Sequence, residues 1–533
     1  MEWMQVYDPL GNFSLSAAAA ALPLVVLLTL IAVVRVKAYV AGIATMLLTV
    51  VEALIVWRMP WDKVASSLLL GGAFALFPIG YIVLGSLCLY NLVVETGLFA
   101  SIRASLEGLS RDRRIQALLV AFCFTAFLDS TTGFLTPLTI CTSILRGLGF
   151  EPHEAARLGL LAGSMPSAFG AMGISIVVLS QVSGLPAWPI AVMSGRQMAL
   201  LALMMPFILV AGMKRDERSV DFPWWPYALA TGGAYAVTLF SFSNFISYSS
   251  AALVSALASL IAMVGLLRWK QPSSKFTTPL TPVGFLKAWS PFAILTLVVL
   301  LWSAPPVQAL LNRATLAVPA TPLHRRVMKV PPASLAVVPM DAVLNLNWAS
   351  TAGTAIMVSA IISAVILKVR PGIFGKVAVG TARQIRFSVL TMISLFGAAY
   401  LMNYSGMSTT LALALARSGR LFPLVSPLLG WIGAMIVGSN TAADAMLGSL
   451  QAITAARVGI PPVLALAANG TAAVFGKVVS PQFLTVAATV AGMPGEESSL
   501  FRRVFFTCFC LAIAVGVISL IQAYLFPWMI PAH

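Results

Sequence analysis

Apolar stretches of about 20 residues recur along this chain from Leu15 to its C-terminus, and a helix of that length crosses the roughly 30 Å hydrocarbon core of a bilayer. This recurrence decides the fold class before any motif is considered. The chain is expected to be an all-α, polytopic transmembrane bundle whose apolar faces meet lipid. Composition agrees: of 533 residues, 59% are hydrophobic and 9% charged, with a mean hydropathy of +0.94, against about 25% charged in soluble domains. No separate water-soluble domain has room to exist.

Hydropathy places spans near 15–34, 38–57, 66–91, 115–145, 156–182, 189–212, 223–246, 248–267, 288–304, 347–368, 386–403, 421–446, 464–490 and 504–527. The stretches 115–145 and 464–490 are long and carry Gly, Pro and hydroxyl residues, as broken or re-entrant helices do. In a soluble protein the net charge of +16 would suggest a nucleic-acid partner. Here Lys and Arg gather in short connections, the positive-inside pattern. Arg35 with Lys37, the run 101–114 with Arg103, Arg111, Arg113 and Arg114, the run 214–218, and the segments 268–287 and 368–386 all read as cytoplasmic.

This orientation puts the N-terminus outside. The first 14 residues, MEWMQVYDPLGNFS, hold no basic residue and so lack the n-region of a cleavable signal peptide, and Met1 is expected to remain. The Pro-rich segment 305–347 reads as a long external loop despite its Arg325-Arg326 pair. Between Arg114 and Lys214 lie three apolar stretches, yet a return to the same side needs an even number of crossings. One of the three must be re-entrant or split.

Two regions of the chain match each other. ETG (95–97), FLDSTTGF (127–134) and GLGFEPHEAARLGLLAGSMPSAFGAMG (147–173) are followed, in the same order, by YSG (404–406), VGSNTAAD (437–444) and ARVGIPPVLALAANGTAAVFGKVVSPQ (456–482). The spacings agree closely. The charge reading puts the loop before Asp129 on the cytoplasmic side and the corresponding loop, 417–423, outside, so the two halves are inverted. Inverted repeats with interrupted helices meeting at the midplane are a common architecture of secondary transporters; small polar residues also recur at membrane helix interfaces for packing alone. The expected organisation is N-terminal transmembrane helices over 1–63, a first repeat with polar half-helices over 64–215, connecting helices and the long loop over 216–345, and a second repeat with the C-terminal helix over 346–533.

Polar residues inside these stretches are the candidates for chemistry. Asp129 sits mid-stretch, where a carboxylate is costly unless paired, hydrated or protonated, which suits either a proton carrier or a structural cap at a helix break. Thr132 and Thr136 follow at i+3 and i+7 on the same helical face. Asn440 and Asp444 hold the equivalent place one turn apart, preceded by Gly438 and Ser439. Lys477 is the deep cation of the second repeat and could neutralise Asp129, Asp444 or a substrate carboxylate, or else snorkel to an interface.

Asn469, in ANGTAAVFG, and Gln482, beside Lys477, complete the polar set there. The turn-like segments 163–175 and 468–476 offer backbone N–H groups, and half-helix N-termini hold anions through the positive end of their dipole. Arg196 could assist or lie at a membrane face. Tyr404 and Ser405 supply neutral hydroxyls next to a helix break, although a tyrosine near a span end is also an ordinary interface anchor.

Other chemistries find little support. The five cysteines all fall in apolar stretches and the three histidines make no cluster, so neither a metal nor another cofactor is expected. No GxxxxGK[ST] motif is present, which argues against ATP-driven transport by this chain. HExxH and Ser-His-Asp spacings are absent too, so an enzyme is the weaker class.

At these residues the chain resembles the lactate permease family, whose members carry lactate and glycolate with a proton. The likeness runs through YDPLGN (7–12), AFCFTAFLD (121–129), GLGFEP (147–152), AFGAMGI (168–174), GRQ (195–197), NYSGMSTTLALALA (403–416), SPLLGW (426–431), GSNT (438–441), GKVVSPQ (476–482) and LIQAYLFPWMIP (520–531). The departures fall at the candidate site. The family usually shows Glu followed by Gly-Ala-Ala-Gly-Phe-Gly where this chain has Asp129 and STTGFL, and it usually shows Asp and Asn where this chain has Asn440 and Asp444.

The resemblance implies proton-coupled symport of lactate or a similar 2-hydroxy monocarboxylate across the cytoplasmic membrane, with the small anion, the proton and the lipid bilayer as partners and no nucleic acid. Asp129 or Asp444 would carry the proton while Lys477, the Thr132 and Thr136 hydroxyls and nearby N–H groups hold the carboxylate. Transport of another carboxylate or a sulfonate, or an anion channel with weak multi-site passage, is the alternative.

Overall fold

The computed structural model of the chain describes residues 2–32, 34, 36–107, 110, 112–132, 135–165, 168–213, 223–270, 282–332 and 336–531. Arg35, Arg111, the run 214–218, residues 271–281 of the basic segment 268–287, and Gly133, Phe134, Pro166 and Ser167 of the repeat motifs lie outside the described residues. Among the described residues ten helices are long and apolar enough to cross a membrane, eleven if Pro462–Val478 and Pro481–Ala491, bent by 41°, form one span. Leu47, Val51, Ile55, Phe506 and Val517 on these helices are exposed, as lipid-facing side chains are. The chain is a multi-pass membrane protein.

Several expected spans are single helices with ends close to those expected: Phe13–Ala32, Ala38–Ile55, Ala187–Ala211 and Tyr248–Lys270; the last helix, Glu497–Tyr524, begins earlier than the expected 504. Two are longer. The stretch 66–91 becomes Trp61–Glu95, interrupted at Phe77 (φ −137°, ψ 122°), where the following Pro78 disfavours helical backbone. The stretch 386–403 becomes Pro371–Ser405, because Val377, Thr381 and Ile385 are buried at four-residue spacing while Lys376, Arg383 and Arg386 stay exposed. Asn91 caps this packing with a 2.8 Å hydrogen bond from Nδ2 to Thr381 Oγ1. Further up, a methyl group on Gly71 would lie 2.5 Å from the Phe396 carbonyl oxygen, so a side chain of zero size lets two helices cross backbone to backbone.

The connection 305–347 carries short strands that the sequence did not suggest. Val327–Lys329 pairs in parallel with Trp3–Met4 and antiparallel with Val338–Pro339, and Leu316–Pro319 pairs antiparallel with Val343–Leu346. Gln5 Nε2 donates to the carbonyls of Asn403 (2.8 Å) and Tyr404 (3.0 Å). The N-terminus, this connection and the end of Pro371–Ser405 therefore share one face of the bundle, called here the strand-bearing face.

Two segments fold back on themselves as helical hairpins: the polar stretch expected over 115–145 and, in place of the single span expected over 421–446, residues 422–457, while the stretch 464–490 is a bent helix pair. In the first, Arg113–Thr131 runs inward and Thr136–Gly147 returns, so that Arg113 Nη2 donates to the Gly149 carbonyl at the open end (3.2 Å). In the second, Phe422–Val437 runs inward and Asn440–Arg457 returns. There the Ser426 hydroxyl donates to Gln451 Oε1, and Gly433 lies against Ala443 and Leu447. Helices continuing straight through the break could not make these contacts, given a rise of about 1.5 Å per residue.

Each hairpin is followed by a broken helix and then an unbroken one. The broken helices are Pro152–Ala162 with Gly170–Ser183, and Pro462–Val478 with Pro481–Ala491; the unbroken ones are Ala187–Ala211 and Glu497–Tyr524. The second hairpin opens on the strand-bearing face, where Arg417 stacks over the Phe13 ring (5.6 Å). The first opens on the opposite face, where His153 stands 3.9 Å from Glu496. Equal element order with opposite entry makes an inverted repeat. It also resolves the parity of crossings, since 115–145 re-enters and leaves only two crossings before Met213.

Candidate substrate site

The hairpin tips and helix breaks end at the same depth because their sequences stop helices there. In GSNT, Gly438 takes a left-handed conformation (φ 72°) that closes one helix, as glycine does at helix C-termini. Ser439 is extended and its Oγ accepts the Ala442 N–H (3.3 Å), which starts the next. The break after Lys477 works similarly: Ser480 Oγ accepts the Phe483 N–H (3.4 Å), with Pro481 in the first turn. At the first tip, Ser130, Thr131 and Thr132 turn their hydroxyls back onto the carbonyls of Phe127 and Leu128 (2.7–2.9 Å), so these hydroxyls are satisfied within their own helix.

These termini enclose a cavity of about 50 Å³ lined by Asp129, Gly170, Ala171, Gly438, Ser439, Asn440, Thr441 and Lys477, with Ile79, Val83, Ile174, Met392 and Phe483 as its apolar walls. Its volume exceeds the ~10–15 Å³ that one water needs. Lys477 Nζ stands 3.8 Å from Asp129 Oδ1, with both side chains at most 5% exposed, and 5.5 Å above the Phe483 ring centroid. Lys477 lies in the last turn of Pro462–Val478, where the helix dipole favours a cation. Two further helices, starting at Asn440 and Pro481, present their N-termini here, and such ends favour anions.

Contacts across the two halves fix the arrangement. Asn440 Nδ2 donates to Ser175 Oγ (2.7 Å), and Ser175 Oγ lies 3.4 Å from Thr441 Oγ1. Within the first half, a methyl group on Gly170 would lie 2.9 Å from Asp129 Oδ2, so the second segment of the broken helix begins against the carboxylate. The result is one enclosed ammonium, one facing carboxylate, several neutral donors and two helix N-termini. That set can hold a small carboxylate and exchange a proton beside it. Among the described residues no group of His, Cys, Asp and Glu could hold a metal ion.

The family model for L-lactate permease matches residues 16–526. The chain belongs to the L-lactate permease family. It is 37% identical to the L-lactate permease of Bacillus subtilis (strain 168) over the whole of both chains. It is 37% identical to the glycolate permease GlcA of Escherichia coli (strain K12) over 99% of each. To the L-lactate permease of that E. coli strain it is 36% identical, over 99% of this chain and all of the other. The crystal structure of the Alcanivorax borkumensis YdaH transporter superposes with a TM-score of 0.49 at 14% identity, over 93% of this chain and 100% of that one. The family relatives are permeases, not enzymes.

Within this permease-family fold, Asp129, Ser439, Asn440 and Lys477 converge on the cavity as a group. Asp444 and Asn469 sit one layer behind it: Asp444 Oδ1 accepts from Asn469 Nδ2 (2.7 Å), Asn469 Oδ1 accepts from Gln451 Nε2 (2.6 Å), and Gln451 also donates to the Ser426 carbonyl (3.1 Å). Gln482 packs on the tip, its Oε1 2.8 Å from where a methyl group on Gly438 would sit. Thr132 donates to its own helix, and Thr136 opens the returning arm of the hairpin, half-buried.

Three other residues of the expected set stand away from the cavity lining. Tyr404 donates to the Asp341 carbonyl (2.9 Å) and Ser405 to that of Met402 (3.2 Å), at a break packed on the N-terminal segment through Gly406. Arg196 Nε donates to Asn244 Oδ1 (2.9 Å) and its Nη1 to the Met529 carbonyl, tying down the C-terminal segment. Residues that sequence reasoning did not single out by side chain are Ser175, Gly170, Thr441, Gln451 and Ser426. The position of Ser175 at the end of the turn-like segment 163–175 was the available signal.

Proposed function

We propose that the chain carries lactate or a similar small 2-hydroxy monocarboxylate across the cytoplasmic membrane together with a proton, by alternating access, with its N-terminus outside. The observation that carries this reading is the Asp129–Lys477 pair on the cavity wall. While Asp129 is ionised it holds the ammonium. Once a proton neutralises Asp129, Lys477 is released and a substrate carboxylate takes its place, helped by Asn440, Ser439 and the two helix N-termini. Proton and anion then load together, because each makes room for the other.

The loaded site has the same net charge as the empty one, so transfer is not opposed by a negative interior. Inverted halves meeting at one cavity supply the alternation, since exchanging their conformations opens the site to the other side. The Asp444–Asn469–Gln451 chain stands behind the cavity as a rigid support, with Asp444 the second group able to take part in proton exchange. Similarity to lactate and glycolate permeases supports the substrate class, and the clustering of Arg and Lys in the connections opposite the strand-bearing face supports the orientation.

Uptake of labelled lactate into proteoliposomes tests the proposal. An inward proton gradient should drive saturable accumulation, and small 2-hydroxy monocarboxylates should compete best among a panel of carboxylates and sulfonates. Uptake that neither saturates nor responds to the gradient would refute symport.

A further inference from the structure

A second, larger cavity of about 330 Å³ lies beside the first, on the side of the strand-bearing face. Its polar lining includes the hydrogen-bonded series Ser247–Ser249–Ser303, with Oγ–Oγ distances of 3.0 and 3.1 Å, together with Gln308, Asn347 and Ser350. No Asp, Glu, Lys or Arg stands among the described lining residues. Such a surface suits a small hydrated solute recognised through hydroxyls and amides.

The two cavities share a thin wall. Along the helical segment 78–83, Ile79 and Val83 line the first while Pro78 and Ile82 line the second; along the other side, Ala171 and Ile174 line the first while Met172 and Val177 line the second. At the centre of that wall Ala171, Met172 and Gly173 hold φ values of 45°, 62° and 77°. Two consecutive non-glycine residues in the left-handed region are rare, and such strain clusters at sites that bind or switch. In a right-handed conformation these three residues would carry the helix that now becomes regular at Ile174 back to Gly170.

We propose that the second cavity is a docking position on the transport path, where a small hydroxy acid rests on hydroxyl and amide groups, and that the left-handed turn at Ala171–Met172 is the partition between it and the Asp129–Lys477 cavity. The inference rests on the transport reading above. It adds a second binding place, a face of access and a gate.

Ala352, on the wall of this cavity, gives the test. The variants Ala352→Cys and, as a second probe at a different position, Gln308→Cys are treated with a membrane-impermeant thiol reagent, with Val337→Cys marking the strand-bearing face. The parent protein, treated alike, sets the background from exposed Cys510. Both positions should react from the same side as Val337→Cys, saturating lactate should slow the reaction several-fold, and complete modification should lower lactate uptake at least tenfold relative to the same variant unmodified. Uptake unchanged after complete modification of both variants, or reaction from the opposite side alone, would overturn the inference while leaving the transport reading intact. A parent protein that takes up no lactate would remove the transport reading itself and this inference with it.

Discussion

Asp129 and Lys477, one from each inverted half, meet 3.8 Å apart with their side chains 2% and 5% exposed. Removing one partner of a buried ion pair strands the other and costs about 3–5 kcal/mol, whereas removing both costs less. Thermal unfolding in detergent should therefore show Lys477→Met and Asp129→Leu each less stable than the double variant. Additive losses would mean that the two groups do not interact.

A methyl group on Gly170 would reach to 2.9 Å from the Asp129 carboxylate. The variant Gly170→Ala is expected to push the carboxylate off Lys477, lower lactate uptake about tenfold and lower the unfolding temperature as well, since a surplus methyl group in a packed site costs ~1–3 kcal/mol. Uptake kinetics and a melting curve on the same preparation check both halves of the statement.

The tip glycine of the second hairpin faces a double constraint. Gly438 is left-handed (φ 72°), and a methyl group there would sit 2.8 Å from Gln482 Oε1. Gly438→Ala should destabilise by at least ~1–2 kcal/mol, the cost of a left-handed non-glycine residue, and raise the KM for lactate because Ser439 and Asn440 move with the tip. The paired variant Gly438→Ala with Gln482→Ala should recover only the steric part.

Behind the cavity, Asn469 both donates to Asp444 and accepts from Gln451. Asn469→Ala leaves a buried carboxylate and a buried amide without that partner, at a cost of about 1–3 kcal/mol for each unsatisfied group. A lower melting temperature with reduced maximal uptake is expected, and a variant as stable as the parent would show that the network is dispensable.

Arg196 offers the contrast. Its guanidinium is committed to Asn244 and the Met529 carbonyl, outside the cavity lining. Arg196→Gln should keep the KM for lactate within about twofold, on the reading that a change of 1.4 kcal/mol or more would be needed for tenfold. Lys477→Gln should raise it far more, and equal effects on KM would place Arg196 on the substrate path.

Much of this arrangement was legible in the sequence because charge inside an apolar stretch is expensive. Asp129, Asp444 and Lys477 stand out for that reason and Asn440 through its place in the repeat, and the matched spacings, the charge pattern and the odd number of apolar stretches pointed to inverted, re-entrant halves. Asn440 and Asp444 lie one turn apart on one helical face, but the cavity ends at the first turn and only Asn440 reaches it. Tyr404 and Ser405 sit at a break that resembles its counterpart at Gly97, yet that break packs on the N-terminal segment. Gly170 gave no signal of its own, since small residues serve close packing in membrane helices everywhere, and the part played by Ser175 appears only where the halves meet and Asn440 donates to it. The left-handed turn at Ala171–Met172 has no sequence signature at all.

The most direct measurement compares two assays on Asp129→Asn in proteoliposomes: accumulation of lactate driven by an inward proton gradient, and exchange of labelled for unlabelled lactate with no gradient. With the carboxylate replaced by an isosteric amide, Lys477 can still meet the substrate carboxylate but no proton is exchanged at the site, so accumulation should vanish while exchange persists at a measurable rate. Gradient-driven accumulation equal to that of the parent would contradict the account.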